Sequence, residues 1–166
     1  MRSGGITAIS GIAIALCIFT TASANTTIVG SVGQIIDGDT FVLEQDAKDR
    51  SIRIDLWGID APELSQPYGE QARKALSKAL SADQIRVVVV NEGEHDSRRG
   101  RVYVNGRSVN QWMVRSGNAW VDTRYNPYPQ FMVMQHTAQN HLWGLWSLPA
   151  TQQVRPIDYR QTRSER

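Results

Sequence analysis

The sequence predicts an α+β protein, mainly a small β-barrel with helices packed outside it. Three observations carry this. Between residues 27 and 57 the apolar and β-branched residues come in short runs broken by tight-turn signals, the pattern of strands in a small sheet. The period then changes to three and four residues over 69–82, as in an amphipathic helix. Further strand-like runs and two more helical stretches follow within a chain of 166 residues, a length that supports one domain around one core.

The elements follow in order. Strands are expected at 27–32 and 40–43, separated by Asp37-Gly38-Asp39, a strong turn signal. In 51–57, Ile52, Ile54 and Leu56 share one face while Arg53 and Asp55 share the other. Asp60-Ala61-Pro62-Glu63 ends that segment in a loop, since proline cannot continue a central ladder. Ala72, Ala75, Leu76, Ala79 and Leu80 form the apolar stripe of the first helix. Strands return at 85–90 and 102–104, the latter running into the hairpin signal Asn105-Gly106. Ser108 and Gln111 make a capping box for a short helix that carries Trp112 and Met113 and stops at Gly117. A third helix follows Pro129, using Phe131, Met134, Ala138 and Leu142. Beyond Trp146 the chain turns polar and arginine-rich, and a loosely ordered tail is expected over 148–166.

The first 24 residues do not belong to that core. Met1-Arg2 precedes an apolar run from Ile6 to Thr20, and Ala22-Ser23-Ala24 ends it. A charged start, a short apolar stretch and a small-x-small site predict a signal peptide over 1–24, cut after Ala24. The run is short of the roughly 20 apolar residues that span a bilayer comfortably. The protein is therefore expected to be exported, secreted or periplasmic, with no stable membrane association after cleavage. Cys17 is the only cysteine and follows Leu16 rather than a small residue, so no lipid anchor is expected there. A mature chain starting at Asn25 has neither disulfides nor thiolate metal sites. It must be held together by packing.

Charge is informative in its placement. The net charge is only +2, too small for a global argument about nucleic acid. Arg98, Arg99, Arg101, Arg107 and Arg115 nevertheless cluster, and Arg155, Arg160, Arg163 and Arg166 stud the tail. Clustered arginine either tracks a phosphate backbone or makes a solvated surface. Two acidic clusters complement it. Asp37 and Asp39 stand on a turn, and Asp60 and Glu63 at a strand end. Hard oxygen ligands on loops suit calcium or magnesium, while an aspartate by itself is also a turn former.

Five motifs then resemble one family in order along the chain. Ile36-Asp37-Gly38-Asp39-Thr40 with Val42 and Leu43, then Leu56-Trp57-Gly58-Ile59-Asp60-Ala61-Pro62-Glu63, resemble the two metal signatures of the staphylococcal nuclease family. Tyr68-Gly69-Glu70-Gln71-Ala72 resembles the start of its first helix. Val109-Asn110, Met113-Val114-Arg115-Ser116-Gly117 and Ala119-Trp120-Val121 resemble its later helix and strand, and Gly144-Leu145-Trp146 the end of its last helix. The resemblance implies a five-stranded OB-fold barrel with three helices, spanning 25–147. It implies a calcium-dependent endonuclease hydrolysing phosphodiesters in DNA and RNA at the bond to the 5′ oxygen, and acting as a monomer. By position, Asp39, Asp60 and the Ala61 carbonyl would hold the metal. Glu63 would act as general base or orient the water, and arginines would offset the charge of the transition state.

Two departures from the family pattern stand out. The first catalytic arginine of the family falls on Asp55. Arg53, two residues earlier on the same strand face, is taken as a catalytic substitute that leans forward, pairs with Asp55 and offers its remaining donors to the substrate. The family's Asp-x-Tyr-Gly-Arg loop is shortened to His95-Asp96-Ser97-Arg98-Arg99-Gly100-Arg101. The second arginine could be Arg98, Arg99 or Arg101. Arg101 is taken because it follows a glycine, leaving Arg98 and Arg99 as substrate contacts. The rival reading is a catalytically impaired OB-domain that binds nucleic acid or another partner. Asp55 favours it; the retained Asp39, Asp60 and Glu63 favour the enzyme. His95, His136 and His141 have no metal-ligand spacing, and Trp112, Trp120, Trp143 and Trp146 are expected mainly in the core.

Overall fold

The computed structural model describes residues 26–45, 49–93, 97–125 and 128–164. The segment 1–24 expected to be a signal peptide, Cys17, His95, Asp96 and Arg166 lie outside them. Among the described residues no helix is long and apolar enough to cross a membrane.

Five strands close a mixed barrel: β1 (Thr27–Ile35), β2 (Thr40–Gln45), β3 (Arg50–Leu56), β5 (Ile85–Glu92) and β6 (Arg98–Val104). Neighbours pair antiparallel, except that β3 meets β6 in parallel and shuts the ring. A register break between Val32 and Ile35 lets β1 bend from β5 onto β2, as bulges do at barrel corners. Two short strands, β4 (Ile59–Asp60) and β8 (Trp120–Val121), form a separate pair at the barrel mouth.

Alternation decides what faces in. Phe41 and Leu43 of β2, and Ile52, Ile54 and Leu56 of β3, are buried, with Arg53 and Asp55 pointing out between them. Ile85, Val87, Val102 and Val104 fill the opposite wall. Gly100 stands where a β-carbon would lie 2.4 Å from Val87 Cγ1, so β6 needs a glycine to pack there. Asn105 and Gly106 both take positive φ, at 49° and 77°, and turn β6 into β7 (Arg107–Ser108), as a primed hairpin turn requires.

Helices cover the barrel. α1 (Gly69–Ala79) buries Ala72 and Leu76, and α2 (Val109–Arg115) buries Val109, Met113 and Val114. Ser108 Oγ caps α2 by accepting from the Gln111 amide at 3.3 Å. α3 (Pro129–Asn140) buries Phe131 and Ala138. Asn110 on α2 is fully buried and belongs to the frame. Its Oδ1 accepts from the Val102 amide at 2.8 Å, and its Nδ2 donates to the Trp57 carbonyl at 2.9 Å. Trp146 is buried edge-on against Trp120, with ring centres 4.3 Å apart. Trp112 and Trp143 are exposed, contrary to the expectation of core positions.

The C-terminal segment is the main correction. The tail over 148–166 was expected to be loose, yet residues 148–164 fold into a 3-10 turn (Ala150–Gln152) and a fourth helix, α4 (Pro156–Ser164). Pro156 is buried. Tertiary hydrogen bonds rather than apolar periodicity hold this segment in place. Gln66 Nε2 donates to the Val154 carbonyl at 2.5 Å and the Tyr159 hydroxyl to the Ser65 carbonyl at 2.9 Å.

Candidate active site

The turn between β1 and β2 sets the first half of the site. Asp37 Oδ1 accepts from the Asp39 amide at 3.0 Å, so Asp37 builds the turn, as aspartates commonly do. A β-carbon on Gly38 would lie 2.6 Å from that of Ala61 and 2.7 Å from that of Ala72. Only glycine lets the turn nest against the loop after β4 and against α1. Asp39 is thereby carried to Ala61, whose amide donates to Asp39 Oδ2 at 2.6 Å, while the Thr40 hydroxyl donates to Oδ1 at 3.2 Å.

The second half comes from β4 and its loop. Asp60 is buried at the end of β4, held opposite Trp120 of β8. Glu63 stands one short turn later, its amide donating to Gln66 Oε1 at 3.1 Å. Gly69 lets α1 start against this turn, because a β-carbon there would meet the Glu63 carbonyl at 1.9 Å. Both carboxylates are met by one guanidinium from α4. Arg160 donates to Asp60 through Nη1 at 3.1 Å and Nη2 at 3.0 Å, and to Glu63 Oε1 through Nη1 at 2.5 Å.

These groups line one open cleft of about 400 Å³, together with Arg53, Asp55, Trp57, Arg99, Asp122, Arg124 and Tyr125. Six carboxylates and four guanidiniums face it, leaving two negative charges in excess. Burial dominates the titration of the two metal-signature acids. Burial raises the Asp39 carboxyl well above the usual range, and the nearby charges of Asp37 and Asp60 raise it further. Burial also raises Asp60, although Arg160 pulls it back. Burial works against the Arg160 charge too, but its bonds to Asp60 and Glu63 outweigh that and hold the guanidinium charged.

Among the described residues no three His, Cys, Asp or Glu side chains already close on a common point as a metal cage. The chemistry of the donors still fits a hard cation. Asp39 and Asp60 are carboxylates that face one cleft and repel each other, the arrangement that a calcium ion relieves.

The arginines divide. Arg99 lines the cleft, in register with Asp55 where β3 and β6 meet, and lies 5.0 Å over the Tyr125 ring. Arg101, two residues along the same strand face, is instead turned onto Tyr128, donating to its hydroxyl at 2.6 Å. Arg98 pairs with Glu92 and donates to the Ser97 carbonyl at 3.0 Å. Neither lines the cleft. Asp55 accepts from the Ser97 hydroxyl at 2.6 Å and, weakly, from Arg53 Nε at 3.4 Å. Arg53 therefore does lean toward Asp55, on the wall of the cleft.

Sequence reasoning missed Asp122, Arg124, Tyr125 and Arg160. Arg124 forms a two-point pair with Asp122, at 2.9 and 2.6 Å, which raises its basicity. Only the fold brings these in: β8 runs antiparallel to β4, with Trp120 opposite Asp60 and Val121 opposite Ile59, and the Asp122 amide then donates to the Gly58 carbonyl at 3.0 Å. Arg160 reads only as one of the tail arginines, with nothing in the sequence to bring it to Asp60 and Glu63.

Comparison with known proteins agrees with this geometry. Residues 53–148 match the family described as staphylococcal nuclease homologue. An uncharacterized endonuclease of Escherichia coli is 36% identical over 121 residues, covering 72% of this chain and 78% of that protein. An uncharacterized endonuclease of Haemophilus influenzae is 32% identical over 116 residues, covering 70% and 65%. A probable staphylococcal-like nuclease of Oryza sativa subsp. japonica is 34% identical over 112 residues, covering 68% of this chain but only 33% of that longer protein. The closed barrel, the paired acidic turns and these matches place the chain in the staphylococcal nuclease homologue family.

Proposed function

We propose that this protein is a nuclease that hydrolyses phosphodiester bonds in DNA and RNA, exported from the cell and calcium-dependent. The observation that carries the reading is the meeting of Asp39, Asp60, Glu63 and Arg99 in one cleft, from three separate segments of the chain. The two endonuclease-named bacterial relatives support it.

Asp39 and Asp60 would hold the calcium ion, which supplies Lewis-acid charge against the phosphate when bound. Glu63 accepts the proton of the attacking water, whose oxygen bonds to phosphorus. The bond from phosphorus to the 5′ oxygen breaks, and that oxygen takes a proton from solvent, leaving a 3′-phosphate end. Arg99 faces the cleft where negative charge grows on the phosphate oxygens, so it takes the part that the glycine-arginine spacing gave to Arg101. Tyr125 and Trp57 offer aromatic surface beside it for a base or sugar.

A DNA zymogram with calcium or with a chelator tests this. A cleared band only in calcium is expected, and no clearing in either lane removes the nuclease reading. The second reading, an impaired binding domain, is favoured by Asp55, which puts an anion where a phosphate must pass. Oligonucleotide binding without any cleavage would support it. Export is tested by N-terminal sequencing of the secreted or periplasmic product, which should begin at Asn25; a start at Met1 there refutes cleavage.

A further inference from the structure

We infer that Arg160 binds the substrate phosphate, as a guanidinium that α4 delivers into the cleft from beyond the matched region, which ends at residue 148. The inference rests on the nuclease reading above. Three observations carry it.

The first is delivery. The face of α4 beside the cleft is pinned to the loop that holds Asp60 and Glu63. The Tyr159 hydroxyl donates to the Ser65 carbonyl at 2.9 Å, and Arg163 donates to the Ser65 hydroxyl at 2.7 Å. Gln66 ties the approach to the helix through the Val154 carbonyl at 2.5 Å. A side chain held by neighbours on both sides is positioned before substrate arrives, which is what transition-state stabilisation needs.

The second is the fork that is left over. A guanidinium has five N–H groups. Asp60 takes one from Nη1 and one from Nη2, and Glu63 takes the other from Nη1. The Nε–H and the second Nη2–H remain, and these two point in parallel along one edge of the plane. That edge fits two oxygens of one phosphate. The side chain is 42% exposed, and it lines the cleft itself.

The third is charge. With Arg160 the lining carries two excess negative charges, which one divalent cation cancels. Without it three remain, and a phosphodiester would face net repulsion even with the cation bound. The position that resembles the family's arginine holds Asp55 here, which deepens the need. Arg124 is closed in its two-point pair with Asp122, and Arg53 leans on Asp55. Arg160 is the guanidinium that touches both Asp60 and Glu63.

The test uses Arg160→Gln and Arg160→Lys in the full chain. It measures cleavage of single-stranded DNA in calcium, and binding of a cleavage-resistant phosphorothioate oligonucleotide across a salt series. Arg160→Gln is expected to lower kcat/KM about 10²-fold and the salt slope of binding by about one. Arg160→Lys keeps the charge but lacks the fork, so it restores the salt slope and not the rate. Thermal melts check that both fold. If the glutamine variant does not fold, the lysine variant decides alone, since its charge still pairs with Asp60. An active wild type whose folded variants cleave as fast or faster overturns the inference and makes α4 a cover over the site, with the nuclease reading intact. A wild type that neither binds nor cleaves sinks the nuclease reading and this inference with it.

Discussion

Asp39 is half-buried beside two like charges, and the fold keeps it there through the Ala61 amide. Its folded carboxyl titrates well above the unfolded value of about 4. The folded state therefore binds that proton more tightly than the unfolded state does. The stabilisation this gives is full below the unfolded value and is lost as pH rises through the raised folded value. In chelator, Asp39→Asn should be more stable than the wild type near pH 7 and should lose that advantage near pH 4. The same variant should lose calcium affinity. Melts at the two pH values with calorimetry of calcium binding check both, and an unchanged affinity removes Asp39 from the metal site. Asp55 is the complementary case, an anion on the cleft wall held by Ser97 and Arg53. Asp55→Arg should raise turnover on DNA, and Arg53→Ala should lower it. A folded, calcium-binding Asp55→Arg protein with no gain would favour the binding-domain reading.

At the scale of elements, strand alternation made much of the barrel legible, because burial on one face imposes a period of two. Ile52, Ile54 and Leu56 point inward as that period requires. The period could not say which of Arg99 and Arg101, sharing a face of β6, lines the cleft; closure of β6 on β3 at Asp55 and Leu56 puts Arg99 there. Leu142 was expected on α3, but the helix stops at Asn140 and Leu142 turns at a positive φ of 52° into solvent. α4 was not legible at all. Its stretch Pro156-Ile157-Asp158-Tyr159-Arg160 has little apolar content, and short helices draw their stability from tertiary contacts rather than propensity. Those contacts lie some ninety residues away, at Ser65 and Gln66. The β1–β2 turn, in contrast, could be read, and its glycine can be tested. Gly38→Ala puts a methyl group against Ala61 and Ala72, and overpacking of this kind costs about 1–3 kcal/mol. Urea titration should show that loss, and calcium affinity should fall with it because the turn that carries Asp39 is pushed off the loop that carries Asp60. Full stability in Gly38→Ala would mean that the turn is not packed as described.

For the whole molecule, the overall charge and the cleft charge have opposite signs. The chain carries +2 in total, while the cleft lining carries an excess of two negative charges. A polyanion approaching the molecule is therefore not drawn to the cleft by the protein alone. Other basic residues on the barrel are engaged, Arg98 with Glu92, Arg101 with Tyr128 and Arg86 over the Tyr103 ring at 4.2 Å. A bound divalent cation removes this repulsion, since it cancels the excess in the one place where Asp39 and Asp60 repel. Binding of nucleic acid should then be coupled to binding of calcium, each strengthening the other by the same factor. Fluorescence anisotropy with a labelled phosphorothioate oligonucleotide should show weak binding in chelator, and binding at least tenfold tighter in calcium. Calcium titrated into the preformed mixture should show the reciprocal gain. In Asp39→Asn the coupling should vanish, while the chelator affinity should rise modestly because one cleft carboxylate is gone. Equal affinity with and without calcium would mean that the strand lies on another face of the barrel, away from the acidic cleft.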